Sequence, residues 1–366
     1  MNFPIKFTSI KPGERKSNSL WQEKYFPSLD GLRAISVTLV ILGHAKIGTN
    51  FGGFGVKIFF VISGFLITSL LLKERERTGT LNLKAFYIRR FLRILPVAYL
   101  FLFTVLLLKP LFHLDIPNKF FFIAAFFLTN FLQGASYIGH FWSLATEEQF
   151  YLIFPYFLKK NLKTYTLFLL IFLGFLIILD FFNLNAYAFP KGSLLRIGVF
   201  LLIPLRNFDG IIMGSLAGLF LYHYKIDWET KSFPLFKWVS FLVLLPLALI
   251  LYRTNLSTIP GQFYQPPIFG VLEVFILAIL ILLSLIPSKD IWFQILNLNW
   301  LKRIGVLSYS LYIWQQIFIR DIPWKNAFPW GNSLYFNLPA LILVSLLSYY
   351  GFEKRFLKLK AGFEVK

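Results

Sequence analysis

Ten stretches of this chain are apolar over the length an α-helix needs to cross a bilayer, about 20 residues each. They run roughly 32–48, 54–72, 94–112, 141–158, 164–182, 207–224, 235–252, 268–286, 304–320 and 336–352. A barrel would instead show strands of roughly ten residues with alternating polarity. The expected fold class is therefore all-α, a polytopic transmembrane helical bundle of about ten spans. Composition agrees: 57% of the 366 residues are hydrophobic and the mean hydropathy is +0.65, whereas soluble domains are about 45–50% apolar. A Phe-rich run at 120–132 is too short to span comfortably and reads as a re-entrant or interfacial helix.

Ten spans put both termini on one face of the membrane. The segments on that face, 1–31, 73–93, 159–163, 225–237, 287–303 and 353–366, hold 26 of the 37 Lys and Arg residues. Cationic loops stay cytoplasmic, so the expected topology is N-in and C-in. This asymmetry also accounts for most of the net charge of +20, which in a soluble chain would suggest nucleic acid. No nucleic-acid partner is expected; membrane lipids are. The organisation is then a cytosolic segment 1–31, a membrane domain 32–352 and a cytosolic tail 353–366. The polar start lacks the early apolar core of a signal peptide, so 32–48 is expected to be a retained first span. With no cysteine in the chain, disulfides, thiolate nucleophiles and Cys-ligated metals are excluded. No His or carboxylate spacing suggests a metal site either.

Polar residues inside such spans are costly and mark functional sites by default. Arg33 and His44 lie in one apolar stretch, eleven residues apart. Eleven helical steps return to nearly the same face and advance roughly 16 Å. Arg33 enters from the cytosolic side; His44 lies beyond the midplane. The plain alternatives are a snorkelling anchor for Arg33, or its neutralisation by Asp30, and a helix-pairing hydrogen bond for His44.

A second set is His140-Phe-Trp142-Ser143-Leu-Ala-Thr-Glu147-Glu148-Gln149-Phe-Tyr151. Ser143, Glu147 and Tyr151 share a helical face. Descending from the outer side, Glu147 reaches a depth similar to that of His44, where a carboxylate would orient an imidazole as a general base. The alternative for Glu147 is a structural salt link; Glu148 points elsewhere. A third set, Arg89-Arg90-Phe-Leu-Arg93, sits at the cytosolic mouth of the third span. Arginine forks suit phosphate, though a basic juxtamembrane cluster also meets anionic lipid. In a fourth, Ser63-Gly64 allows close backbone approach between helices.

Taken in order, Leu29-Asp30-Gly31-Leu32-Arg33-Ala34 to His44, Phe59-Phe60-Val61-Ile62-Ser63-Gly64-Phe65-Leu66, Arg89-Arg90-x-x-Arg93-Ile94-x-Pro96 and Phe141-Trp142-Ser143-Leu144-x-x-Glu147-x-Gln149-Phe150-Tyr151 resemble the acyltransferase-3 family. Leu307-Ser308-Tyr309-Ser310-Leu311-Tyr312-Ile313-Trp314 and Phe352-Glu353-Lys354-Arg355-Phe356 resemble its late signatures, so the likeness covers nearly the whole chain.

The resemblance implies a bacterial inner-membrane enzyme that moves an acyl group, often acetyl, from cytosolic acyl-coenzyme A to a hydroxyl of an extracytoplasmic glycan or lipid-linked saccharide. No permanently bound cofactor is implied, because acyl-coenzyme A is the donor substrate. Under it, His44 and Glu147 are the expected catalytic pair. Arg33, Arg89, Arg90 and Arg93 are expected to meet the donor phosphates. Trp142, Ser143, Tyr151 and Ser63 are expected to line the acceptor pocket.

Two positions depart from the family pattern. Gln315 stands where a His often follows Tyr-Ile-Trp, and Lys57 where a shorter polar or acidic residue is usual. A second transfer step would require a separate extracytoplasmic partner protein. The rival reading from another class is a transporter or flippase of an anionic or lipid-linked sugar, with Arg33 and Arg206 along its path. The symmetry between halves that such proteins often show is not visible in this sequence.

Overall fold

The computed structural model describes residues 5–9, 19–47, 51–131, 136–184, 193, 194, 197, 198, 202–228, 248 and 267–363. In chain order the elements are β1 (Ile5–Ser9), α1 (Ser19–Gln22), α2 (Pro27–His44), α3 (Phe51–Thr78), α4 (Leu83–Leu111), α5 (Asn118–Ala125), α6 (Phe141–Lys160) and α7 (Leu162–Leu184). They continue with α8 (Asp209–His223), β2 (Tyr224–Trp228), α9 (Pro267–Ser284), α10 (Ile291–Leu296), α11 (Asn299–Gln315), α12 (Leu334–Leu347) and α13 (Lys354–Ala361). The expected spans coincide with helices except 235–252, of which the described residues include 248 alone. The run expected near 120–132 is the eight-residue α5 followed by a 3-10 turn, Thr129–Phe131, and is too short to cross a bilayer.

Among the described residues four helical stretches are long and apolar enough to span: Phe51–Thr78, Leu83–Leu111, Leu162–Phe181 and Leu334–Lys360. The chain is thus a polytopic membrane-helix bundle. Apolar side chains that a soluble protein would hide stand on the surface of α4 (Phe103, Leu106, Leu107) and α7 (Leu167, Leu170, Ile171). Lipid is the solvent that makes such exposure favourable. Among the described residues one feature departs from an all-helical chain: β1 and β2 pair antiparallel, with Ile5 opposite Trp228 and Ser9 opposite Tyr224. Five-residue strands carry too little alternation to be read from sequence.

Local chemistry sets the helix ends. Asn82 caps α4 by accepting from the Ala85 amide at 3.0 Å. Gly79, at φ +76°, terminates α3 in the left-handed conformation that glycine adopts without strain. Two π-helical segments interrupt the late helices: Gln316–Arg320 after α11 and Ser348–Glu353 after α12.

The chain divides into two compact units. The first comprises residues 1–36, 57–79 and 160–306. Its centre is α3 against α8, where the two backbones nearly touch. A methyl on Gly64 would collide with the Ile211 carbonyl, and one on Gly214 with the Val61 carbonyl. The expected packing role of Ser63-Gly64 is therefore realised through the glycine. Small residues take the place of side-chain interdigitation where helices meet in lipid. Gly64→Leu is expected to prevent this approach and abolish a cooperative thermal transition of the detergent-solubilised protein. Gly174→Ala on α7, where an added Cβ meets nothing within 4 Å, should leave that transition unchanged or raise it slightly.

The second unit comprises residues 37–56, 80–159 and 307–366. It is built on α4, α6, α11 beyond Val306 and α12. Its interior is aromatic: Phe101 packs edge-on to His140 and Trp314, with ring centroids 5.0 and 5.5 Å away.

Candidate active site

His44 is the last residue of α2 and lies in the second unit. Its Nδ1 is 2.5 Å from Oε1 of Gln315, and its Nε2 is 3.1 Å from Nη1 of Arg320. A guanidinium only donates, so Nε2 must present its lone pair and a neutral ring must carry its proton on Nδ1. That proton is donated to Gln315, which is fully buried. The orienting partner is thus an amide at the family-departing position 315 rather than the expected Glu147. An amide oxygen fixes the tautomer but adds no negative charge.

A carboxylate able to balance an imidazolium is Asp321, whose charge acts on His44. Asp321 accepts from Gln316 Nε2 at 2.7 Å and from the Tyr137 amide at 2.9 Å. The π-helical turn Gln316–Arg320 sets the directions of Gln315, Arg320 and Asp321 within one short stretch. Such turns concentrate at functional sites.

Glu147 pairs instead along its own helix, accepting from Tyr151 Oη at 3.1 Å. Arg90 lies over the Tyr151 ring at 5.3 Å, and Glu147 and Glu148 are both among its charged neighbours. Ser143 Oγ is 2.5 Å from Tyr312 Oη, and both hydroxyls reach the His140 carbonyl oxygen. Trp142 is partly exposed at the start of α6. The expected face of Ser143, Glu147 and Tyr151 is present, but it divides into two local networks.

The arginines of the third motif also have partners. Arg93 forms an ion pair with Glu353 at 2.7 Å, and Ser310 Oγ donates to the other Glu353 oxygen at 2.8 Å. Tyr309 Oη donates to the Ile94 carbonyl at 2.6 Å. Three motifs far apart in sequence, at 89–96, 307–314 and 352–356, meet here. Arg89 reaches the Phe363 carbonyl at 2.8 Å on an exposed surface.

Arg33 and Ser63 belong to the first unit. Arg33 donates to Asp30 at 3.1 Å, and Asp30 also accepts from the Tyr25 hydroxyl. Burial and the Asp30 carboxylate together push the Tyr25 phenol up to about 12, so Tyr25 remains a donor at any physiological pH. Ser63 sits beside Gly64 on α3. Lys57, the other departure from the family pattern, bonds Glu273 at 2.5 Å, with Asp209 close by. Arg206 forms an ion pair with Asp180 at 3.1 Å.

Sequence reasoning missed Arg320, Asp321 and the role of Gln315. The available signal was a charged Arg320-Asp321 pair directly after an apolar span, on the face expected to be poor in cations.

Comparison with known proteins identifies the family. A family model described as an acyltransferase domain matches residues 26–352. The chain is 32% identical over 320 residues to the peptidoglycan O-acetyltransferase OatA of Listeria monocytogenes, covering 82% of this chain and 50% of that protein. It is 35% identical over 325 residues to the putative O-acetyltransferase SACOL0978 of Staphylococcus aureus, covering 80% and 50%. To the O-acetyltransferase OatA of Staphylococcus aureus it is 32% identical over 365 residues, covering 91% and 57%. The chain therefore spans about half the length of the curated relatives it matches. No solved structure matches it. From its membrane helices and a match covering most of its length, the chain belongs to the acyltransferase-3 family.

Proposed function

We propose that this chain is a transmembrane O-acyltransferase of a bacterial cytoplasmic membrane. It takes an acyl group, acetyl in the simplest case, from cytosolic acyl-coenzyme A and places it on a hydroxyl of an extracytoplasmic glycan or lipid-linked sugar. The observation that carries this reading is His44, whose ring is held in one neutral tautomer with its Nε2 lone pair turned toward Arg320. That is the state a general base needs. Family membership supports the reaction class, and of the three relatives named above two are described as O-acetyltransferases and one as a putative O-acetyltransferase.

In this reading the acceptor O–H gives its proton to His44 Nε2 as its oxygen attacks the thioester carbonyl. The released thiolate of coenzyme A takes that proton back. Glu147, Trp142, Ser143 and Tyr151 are assigned to the acceptor side, with Ser63 as a further candidate. Asp321 balances the imidazolium while it exists. Of the three clustered arginines, Arg89 is assigned the donor phosphates; Arg90 and Arg93 supply field from behind it, their contacts already committed to Tyr151 and Glu353. Arg33 is a separate phosphate candidate.

The topology is ten spans with both ends cytosolic: residues 32–352 form the membrane domain between segments 1–31 and 353–366. The β1–β2 ribbon supports this, because it pairs residues from two segments assigned to the same face. A separate extracytoplasmic partner is proposed where a second transfer step follows. The transporter reading loses ground to membership of an acyltransferase family.

Titration of the purified protein with acyl-coenzyme A tests the donor assignment. Arg89→Ala is expected to weaken binding about tenfold, the loss of one charge-assisted phosphate contact, with turnover at saturation changed less. Unchanged affinity with reduced turnover would remove Arg89 from the donor site.

A further inference from the structure

We propose that Arg320 is a catalytic residue that caps the His44 lone pair at rest and holds the oxyanion during transfer; this rests on the acyltransferase reading above. Four observations support it. Nη1 of Arg320 lies 3.1 Å from His44 Nε2, the atom that must accept the acceptor's proton. Because a guanidinium has donors only, it cannot share that proton, and it must turn off Nε2 for a hydroxyl to bind there. Its side chain is exposed, so room to turn exists. It closes the π-helical turn Gln316–Arg320, which begins one residue after the Gln315 that fixes the same imidazole. Finally, the neighbouring Asp321 carboxylate is engaged by Gln316 and the Tyr137 amide.

The acceptor hydroxyl binds at Nε2 and displaces the guanidinium by about one hydrogen-bond length. Its proton passes to Nε2 while its oxygen forms the new C–O bond. The carbonyl π pair moves onto oxygen, and that oxyanion accepts hydrogen bonds from Arg320. Collapse restores the carbonyl and breaks the C–S bond. The departing sulfur takes the proton from His44, giving the ester and free coenzyme A thiol. Arg320 then returns to Nε2. Removing one hydrogen-bond donor to a developing oxyanion typically costs about 10²–10³ in rate.

The test uses purified full-length protein in vesicles, with acyl-coenzyme A and an acceptor glycan that the wild type esterifies. Arg320→Ala is expected to lower kcat about 10²–10³-fold. Affinity for a non-transferable thioether analogue of acyl-coenzyme A and the thermal transition should both stay near wild type. Added methylguanidinium should restore part of the rate, and Arg320→Lys should fall between alanine and wild type. An Arg320→Ala protein with wild-type kcat overturns the proposal. So does a loss that neither methylguanidinium nor lysine repairs, or one matched by lost donor affinity or a lowered transition. His44→Asn is run in parallel. If it is inactive while Arg320→Ala is fully active, only this proposal fails; if it is fully active, the acyltransferase reading of the site fails with it.

Discussion

His44→Asn is expected to lower acyl transfer about 10²–10⁴-fold, the usual contribution of a positioned general base. Asparagine is chosen over alanine for a structural reason. The buried Gln315 Oε1 takes its hydrogen bond from His44 Nδ1 at 2.5 Å, and alanine would leave that oxygen without a donor at a cost of about 1–3 kcal/mol. The asparagine amide supplies a donor near the old Nδ1 position but has no basic nitrogen where Nε2 was. His44→Ala should therefore be equally inactive and measurably less stable. Initial rates together with thermal unfolding of the two variants check both halves of this expectation. Equal stability of the two would mean that the Gln315 contact adds little to folding.

The second large effect is expected at Glu353. Both of its carboxylate oxygens are committed, one to Arg93 at 2.7 Å and one to Ser310 at 2.8 Å, and its side chain is only 1% exposed. Glu353→Ala strands the Arg93 charge in the second unit, a change that typically costs about 3–5 kcal/mol. Removing both charges together, as in Arg93→Met with Glu353→Met, leaves no unpaired ion and should recover most of the loss. Denaturation of the single and double variants gives the coupling directly. Additive losses would show that the pair is not energetically linked.

Helices were the legible part of this fold. Hydropathy located α3, α4, α7 and α12 because a span must be apolar along its whole length, and lipid enforces that pattern residue by residue. His44 stood out as an ionisable side chain within an apolar stretch, its depth inferred from its place along that stretch. What depth cannot supply is direction around the bundle. Glu147 was matched to His44 by depth, yet it bonds Tyr151 on its own helix, and the His44 ring is held by Gln315, 271 residues further on. The π-helical turn that aims Gln315 and Arg320 has no local sequence signature, since it differs from an α-turn by one inserted residue.

The arginine cluster shows the same limit. Its spacing suggested a shared face, but the partner that fixes Arg93 is 260 residues distant. The Gly64 contact was legible as a small-residue motif, while its opposite number, Gly214, was not singled out. Lys57 looked anomalous alone and becomes ordinary beside Glu273.

The fate of the acyl group can be followed directly. The purified protein is reconstituted in vesicles with acetyl-coenzyme A labelled with ¹³C at the acetyl carbonyl and with a peptidoglycan or polysaccharide fragment as acceptor. Mass spectrometry then reads the recovered glycan. Acyl transfer through His44 predicts that wild-type protein places the label in a base-labile ester on the glycan and that His44→Asn places almost none. Label released as free acetate with an unmodified glycan, or equal esterification by His44→Asn, would contradict it.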